Sequence, residues 1–345
     1  MTGAEFLGAR YPLIQAPMAG VQDRQLTAAV SSAGALGSLP CALLSPEELR
    51  SELAVLSAEC DGPFNVNFFC HQTPGYDADA ESRWRELLRP YFDEYGISDE
   101  DVPIGGGRQP FSHDAADILE EFRPPVISFH FGLPSRDLLA RVKGWGATVL
   151  ASATTVEEAL WLECHGADAV IAQGLDAGGH RGMFLSRDLT TQAGTFALVP
   201  RVVSAVDIPV IAAGGVGNAA AVAAAFSLGA EAVQVGTAYL LCRETLTSPL
   251  HRAALKSNRA RHTAVTNLFS GRPARSIVNR VIREIGPLND KAPSFPLAAA
   301  AMGVLRQRAE ARKCDDFSPL WCGQNATGCK EIPAAELTRE LTSLL

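Results

Sequence analysis

Short apolar runs alternate along the chain with stretches of helical length. The runs are PLIQAP (12–17), ALGSL (35–39), FNVNFF (64–69), PVISFHF (125–131), ATVLAS (147–152), DAVIAQ (168–173), PVIAAG (209–214) and EAVQVG (231–236). Between most of them lie amphipathic segments such as SPEELRSELAVLSAE, SRDLLARVKGW and TVEEALWLECHG. The first and third of these open with Ser or Thr followed by acids, which suits a helix N-terminus. Strands alternating with helices predict a parallel sheet. Eight such units predict a closed (β/α)8 TIM barrel rather than an open sheet.

Two regions break the repeat. Residues 71–110, after the third strand, are polar, charged and aromatic and run into IGGGRQP. They are expected as a helical insertion ending in a loop. Residues 246–345 are expected to be mostly helical, with FPLAAAAMGVLRQRAEA (295–311) as the clearest helix. The expected organisation is a barrel over 1–70 and 111–245, with 71–110 and 246–345 forming a helical lid. Extra segments that leave the ends of barrel strands sit at the rim where barrel active sites lie.

Several strands carry polar residues at the wrong parity for an outer face. Side chains alternate along a strand. In FNVNFF, Phe64, Val66 and Phe68 share the face that packs on helices, so Asn65 and Asn67 point into the barrel. Gln234 opposes Val233 and Val235 in the same way, Gln173 ends the sixth strand, and Ser128 and His130 share the inner face of the fourth. A buried amide without a partner costs ~1–3 kcal/mol. A ring of such groups matches a polar, planar ligand, and the edge of a flavin has that alternation of donors and acceptors.

The segment 208–230 is a strand, a glycine turn and an alanine-rich helix. Its turn, Gly215-Val216-Gly217-Asn218-Ala219-Ala220, fits the G-x-G-x-x-A dinucleotide fingerprint. That fingerprint belongs to the first βα unit of a Rossmann domain with an acid after the next strand; here the unit is the seventh and the next strand ends in Gln-Val-Gly-Thr. In barrels the turns after strands seven and eight bind phosphate. Gly214–Gly215 and Gly236–Thr237 occupy those turns, and a single phosphate points to FMN.

Composition narrows the class. The 345 residues are 47% hydrophobic, with 30 basic and 38 acidic side chains and a formal charge of -8. There is no basic stripe with interleaved aromatics, so no nucleic-acid partner is expected. No apolar run reaches the ~18–20 residues of a membrane span. The N-terminus lacks a basic and apolar leader, so a cytoplasmic location is expected. The eight cysteines are sparse and form no C-x-x-C. They are expected to be reduced thiols, with no metal site.

In order along the chain, IQAPMAG, FNVNFF, SFHFGLP, QGLDAGGHRG, PVIAAGGVG and VQVGTAYLLCRE resemble the nitronate monooxygenase family, formerly called 2-nitropropane dioxygenases. The resemblance runs from about residue 10 to the C-terminus, including GRPARSIVNR and DFSPLWCGQ, and is to the class I branch. It implies an FMN enzyme that oxidises alkyl nitronates, such as propionate 3-nitronate, with O2 to a carbonyl compound and nitrite. Carried over by position, it implies FMN contacts at Ala16, Pro17, Met18, Asn67, Gln173, Gly178, Gly215, Gln234, Val235, Gly236 and Thr237. It also implies an active-site histidine at His180. Cys322 is a departure from the family pattern.

His180 follows two glycines that permit a bend closed to β-branched residues. Its N–H suits a nitro oxygen, and the neutral ring suits removal of an α-proton. His130 is the second candidate, for substrate binding. His71, His113, His165, His251 and His262 are expected to be surface or structural. Arg181 is expected at the rim or in a salt bridge, Asp176 as a turn cap, and Arg272 and Arg275 are candidates for covering the phosphate end. The expected partners are a small nitronate and O2, in a monomer or homodimer. The alternative is an FMN-dependent enoyl or quinone reductase using NAD(P)H on the same barrel.

Overall fold

The computed structural model describes residues 3–105 and 108–345. All eight expected strands form, each within about two residues of its expected limits. They are β1 (Leu13–Gln15), β2 (Gly37–Pro40), β3 (Phe64–Phe69), β4 (Val126–His130), β5 (Thr148–Ala153) and β6 (Ala169–Gln173). A two-residue strand β7 (Gly179–His180) intervenes before β8 (Val210–Ala213) and β9 (Ala232–Val235), the seventh and eighth barrel strands. All barrel pairings are parallel, in the order β1-β9-β8-β6-β5-β4-β3-β2. The ring closes through an Ile14–Leu36 bridge, where Gln15 N donates to Leu36 O and Leu36 N to Leu13 O, both at 2.9 Å.

Parity sorts the side chains as the alternation requires. Leu39, Val66, Phe68, Ile127, Val149, Val170, Ala212 and Val233 face the surrounding helices in one large core. Ile14, Leu36, Val126, Leu150, Ile171 and Ile211 point inward as a separate apolar plug, against which Leu7 of the short helix Gly3–Leu7 packs. Above the plug the inward residues turn polar. Asn65 Nδ2 donates to Ser38 Oγ and Ser128 Oγ, each at 2.9 Å, and Asn67 Nδ2 to Ser128 O at 3.1 Å. The floor of the barrel is apolar and its mouth is lined with hydrogen-bonding groups.

The insertion after β3 is a helix, Ala78–Tyr95, capped by Asp77 and ended by Gly96 at φ 65°. It buries Trp84, Leu88 and Phe92 with Met302, Leu305 and Ala309 of the helix Ala299–Ala311. The two irregular segments therefore share a second core over the barrel mouth. Part of IGGGRQP, residues 106–107, lies outside the described residues.

The segment after β9 is not only helical. It contains β10 (Thr263–Thr266) and β11 (Ala274–Ile277), paired antiparallel, with β7 added to the free edge of β11. Strands this short carry little alternation, and β7 has only two residues, so the pairing is decided by tertiary contact. The last helix, Ala334–Leu341, packs on the barrel helices Arg24–Ser32 and Ala219–Ser227, where an outer barrel helix stands. Tyr239 Oη and Thr338 Oγ1, 2.9 Å apart, tie it to the turn after β9.

Candidate active site

A cavity opens at the C-terminal ends of the barrel strands. It is lined by Ala16, Pro17 and Met18 after β1, Asn67 and Phe69 of β3, Ser128 and His130 of β4 and Ser152 of β5. Gln173 of β6, Gly178–His180, Gly214–Val216, Gln234, Gly236 and Thr237 complete the barrel side. Of the residues expected to contact FMN and the two candidate histidines, all are gathered here except Val235, whose side chain has outward parity and is buried in the outer core.

One end of the cavity is a cradle of backbone donors. Gly214 and Gly215 adopt φ 119° and 73°, a left-handed path that favours glycine. The N–H groups of Gly215, Val216, Gly236 and Thr237 reach no acceptor among the described residues. Thr237 Oγ1 accepts from Gly323 N at 2.9 Å, which leaves its O–H free to donate. Asn325 Nδ2 donates to Gly215 O at 2.9 Å and clamps the turn from the C-terminal segment. Unpaired N–H groups next to the helix Ala219–Ser227 form an anion site of the kind phosphate occupies. In the same lining, Gln234 Oε1 is buried with no hydrogen-bond partner among the described residues. A buried acceptor of this kind calls for a donor from a ligand.

The other end is histidine in an aromatic wall. His180 sits on β7, so pairing with β11 fixes its backbone. Its ring lies 6.2 Å from Phe69, 6.1 Å from Phe131, 5.5 Å from Phe295 and 5.3 Å from Trp321. Burial holds its pKa well below the usual imidazole value, with the Arg108 cation the next cause. The ring is therefore neutral. Its Nε2 lies 2.8 Å from Ser270 Oγ, and Nδ1 makes no hydrogen bond among the described residues.

Gln173 and His130 both work on the His180 loop. Gln173 Nε2 donates to His180 O at 3.0 Å, and its Oε1 accepts from Gly182 N at 2.8 Å. His130 Nε2 lies 3.2 Å from the same His180 carbonyl, and its Nδ1 lies 3.0 Å from Ser152 Oγ. Burial lowers His130 to about 3, so it too is neutral, and Nε2 is the natural donor to the carbonyl.

The arginines depart from expectation. Arg181 is neither at the rim nor in a salt bridge: it is fully buried. It donates to Gln173 O and Gly174 O, each at 2.7 Å, and to Gln192 Oε1 at 3.0 Å. The chain leaves β6 in a loop whose carbonyls have no ladder partner, and a guanidinium fork satisfies two of them at once. Arg272 lies 3.8 Å over the Phe131 ring and donates to Met183 O, on a neighbouring cleft rather than beside the glycine cradle. Arg275 donates to Leu175 O at 3.0 Å and to Thr263 Oγ1 at 3.1 Å, also away from the cavity lining. Asp176 accepts from Thr195 N at 2.7 Å, as a turn cap does.

Several lining residues were not singled out in the sequence. His251, expected as structural, is buried and lines the cavity, with Nε2 3.1 Å from Trp321 O. Trp321, Gly323 and Asn325 come from a segment whose LWCGQ motif was visible, but nothing local shows that it folds onto the cradle. Arg108 and Ser270 had no signal of periodicity or motif. The described residues contain no cluster of three His, Cys, Asp or Glu side chains able to hold a metal. No helix among them is long and apolar enough to cross a membrane.

The family model for nitronate monooxygenase matches residues 2–343. A nitronate monooxygenase of Pseudomonas aeruginosa is 42% identical over 342 residues, covering 98% of this chain and 97% of that protein. One from Paraburkholderia phytofirmans is 41% identical over 340 residues, covering 97% and 92%. Among solved structures, nitroalkane oxidase from Streptomyces ansochromogenes superposes with a TM-score of 0.90 at 37% identity, covering 99% of this chain and 97% of that one. FabK from Thermotoga maritima is more distant, with a TM-score of 0.74 at 29% identity, covering 99% and 95%. With a family match across almost its whole length and relatives above 40% identity, this chain belongs to the nitronate monooxygenase family of oxidoreductases.

Proposed function

We propose that the chain is an FMN-dependent enzyme that oxidises alkyl nitronates, of the propionate 3-nitronate type, with O2 to a carbonyl compound and nitrite. The observation that carries this reading is the layout of one cavity. Its lining combines a cradle of free N–H groups, an unpaired buried Gln234 acceptor and a neutral histidine in an aromatic wall.

These residues fit FMN. Gly215, Val216, Gly236 and Thr237 would hold its phosphate. Ala16, Pro17, Met18, Asn67, Gly178 and Gln234 would line the ring, while Gln173 and His130 fix the His180 loop. Bound flavin supplies the electron acceptor that a nitronate, a carbanion equivalent, can reduce and that O2 can reoxidise.

The remaining work falls to the chain. Phe69, Phe131, Phe295 and Trp321 exclude water around His180 and strengthen its interactions. With Ser270 donating to Nε2, the proton on Nδ1 is available to a nitro oxygen. With Nε2 donating to Ser270, Nδ1 carries the lone pair that removes the α-proton of a neutral nitroalkane.

Oxygen uptake with a panel of nitronates, with nitrite measured as product, tests this reading. Nitronate-dependent uptake with nitrite release is the expected result. Rapid anaerobic bleaching of the flavin by NADH or NADPH, with none by nitronate, overturns it in favour of a reductase.

A further inference from the structure

Arg108 emerges from the insertion into the wall of the cavity that holds His180. Its guanidinium takes part in no ion pair and no side-chain hydrogen bond among the described residues; the Phe295 ring lies 5.7 Å from its Cζ, and its charge lowers the pKa of both His180 and His71. The other arginines around the site are occupied. Arg181 holds two carbonyls and Gln192, Arg272 holds Met183 O, and Arg275 holds Leu175 O. The side chain is half-buried, and a partly desolvated guanidinium without a partner is unfavourable unless something completes it.

The cavity offers nothing of its own to do so. Its lining contains no Asp or Glu, and its three histidines, His130, His180 and His251, are all held neutral by burial. Arg108 is thus the one formal charge in the lining among the described residues. The phosphate cradle does not call on it, since Thr237 and the turn at Gly215 are braced by Gly323 and Asn325. Phe295 instead links Arg108 to His180. The imidazole lies 5.5 Å from that ring and the guanidinium 5.7 Å from it, which puts the two groups within roughly 11 Å of each other. Both groups therefore border the same ring, close enough for one short molecule to reach both through charge-assisted hydrogen bonds of about 2.8 Å.

We propose that Arg108 is a specificity-determining residue: its fork receives a carboxylate on the substrate while His180 faces the nitronate group of the same short molecule. This rests on the nitronate-oxidising reading above and adds the residue that selects among nitronates. The planar fork suits a carboxylate bidentately, and the apolar wall of Phe295 and Phe69 keeps that pair partly out of water. An uncharged alkyl nitronate would leave the guanidinium without a partner, so it is discriminated against in binding.

The test compares propionate 3-nitronate with propyl-1-nitronate, which has the same carbon count and no carboxylate, using the FMN-loaded chain. The wild type is expected to favour the carboxylated substrate in kcat/KM by about tenfold or more. Arg108→Ala is expected to reduce that preference to within about threefold, through KM more than kcat, and Arg108→Lys to keep an intermediate preference. Arg108→Gln serves if the alanine variant loses flavin or folds poorly. A wild type without the preference, or a preference that survives in both Arg108→Ala and Arg108→Gln, overturns the assignment. Calorimetric binding of 3-nitropropionate against 1-nitropropane decides the subsite without turnover: tighter binding of the acid that is lost in Arg108→Ala supports it, and equal binding overturns it. Failure of the wild type to oxidise either nitronate overturns the functional reading, whereas oxidation of both without preference overturns Arg108 alone.

Discussion

Four histidines are buried without charge, and this sets how the fold responds to acid. Loss of solvation is the first cause in each case: it lowers His71 to about 4, His251 to about 4 and His130 to about 3, and holds His180 well below the usual value. In the unfolded chain each imidazole titrates near ~6.5. Below that value the unfolded chain takes up protons that the folded chain refuses. The stability is therefore intact above about pH 6.5 and lost as the pH falls toward the folded values. From pH 7 to pH 5 each histidine shifts the balance by ~2 kcal/mol against folding, and the four together by ~8 kcal/mol. That is comparable to the whole stability of an ordinary domain, even after residual structure in the unfolded chain trims it. The carboxylates held low, such as Glu94, Asp101 and Asp188, are on the surface and titrate below this window. Urea unfolding of the flavin-free chain, followed by tryptophan fluorescence at pH 7, 6 and 5, measures the slope. His130→Asn and His251→Asn should each remove about 2 kcal/mol of the drop over that range. A wild-type drop smaller than that of a single histidine, or variants that leave the slope unchanged, would refute the reasoning.

Four further outcomes follow from the site. His180→Ala should keep bound flavin but lose about 100-fold or more in turnover of neutral nitroalkanes, with a smaller loss on preformed nitronates; unchanged rates on both would remove His180 from the chemistry. Because His180 is neutral well below its usual titration range, wild-type kcat/KM on a preformed nitronate should show no break near pH ~6.5 from this group. Ser270→Ala frees His180 Nε2 and should lower kcat on neutral nitroalkanes about 3- to 10-fold, with recovery in Ser270→Thr; a loss confined to KM would contradict a positioning role. Gly215→Val places a β-branched residue at φ 73°, with its Cβ 3.4 Å from Asp176 Cβ, and should weaken FMN binding; full flavin occupancy in titration would contradict the phosphate cradle.

The barrel and much of its mouth were legible because both rest on local rules. The pleat has a period of two, so FNVNFF alone dictates that Asn65 and Asn67 face opposite to Val66. The same parity put His130, Gln173 and Gln234 on the inner face, and chain order put the glycine turns after the last two strands. Sequence could not decide what each inward group would bond. Gln173 and His130 line the cavity, yet their polar atoms turn to the His180 carbonyl, because β7 passes within reach only once it has paired with β11. Arg181 reads as a rim or salt-bridging residue in a glycine-rich bend, and only the Gln173 and Gly174 carbonyls at the end of β6, which the fold brings within its reach, draw it inside. His251, Ser270, Asn325 and Arg108 reach the site from segments 70 residues or more from the loops they meet, brought there by a second core shared between the insertion and the C-terminal region. The sequence by itself determined the eight-stranded barrel, the inward ring and the position of His180, since each follows from backbone periodicity and order. Tertiary structure alone decided which hydrogen bonds those groups make and which charges stay unpaired, since a partner is chosen by proximity in space and by the need to satisfy buried polar atoms.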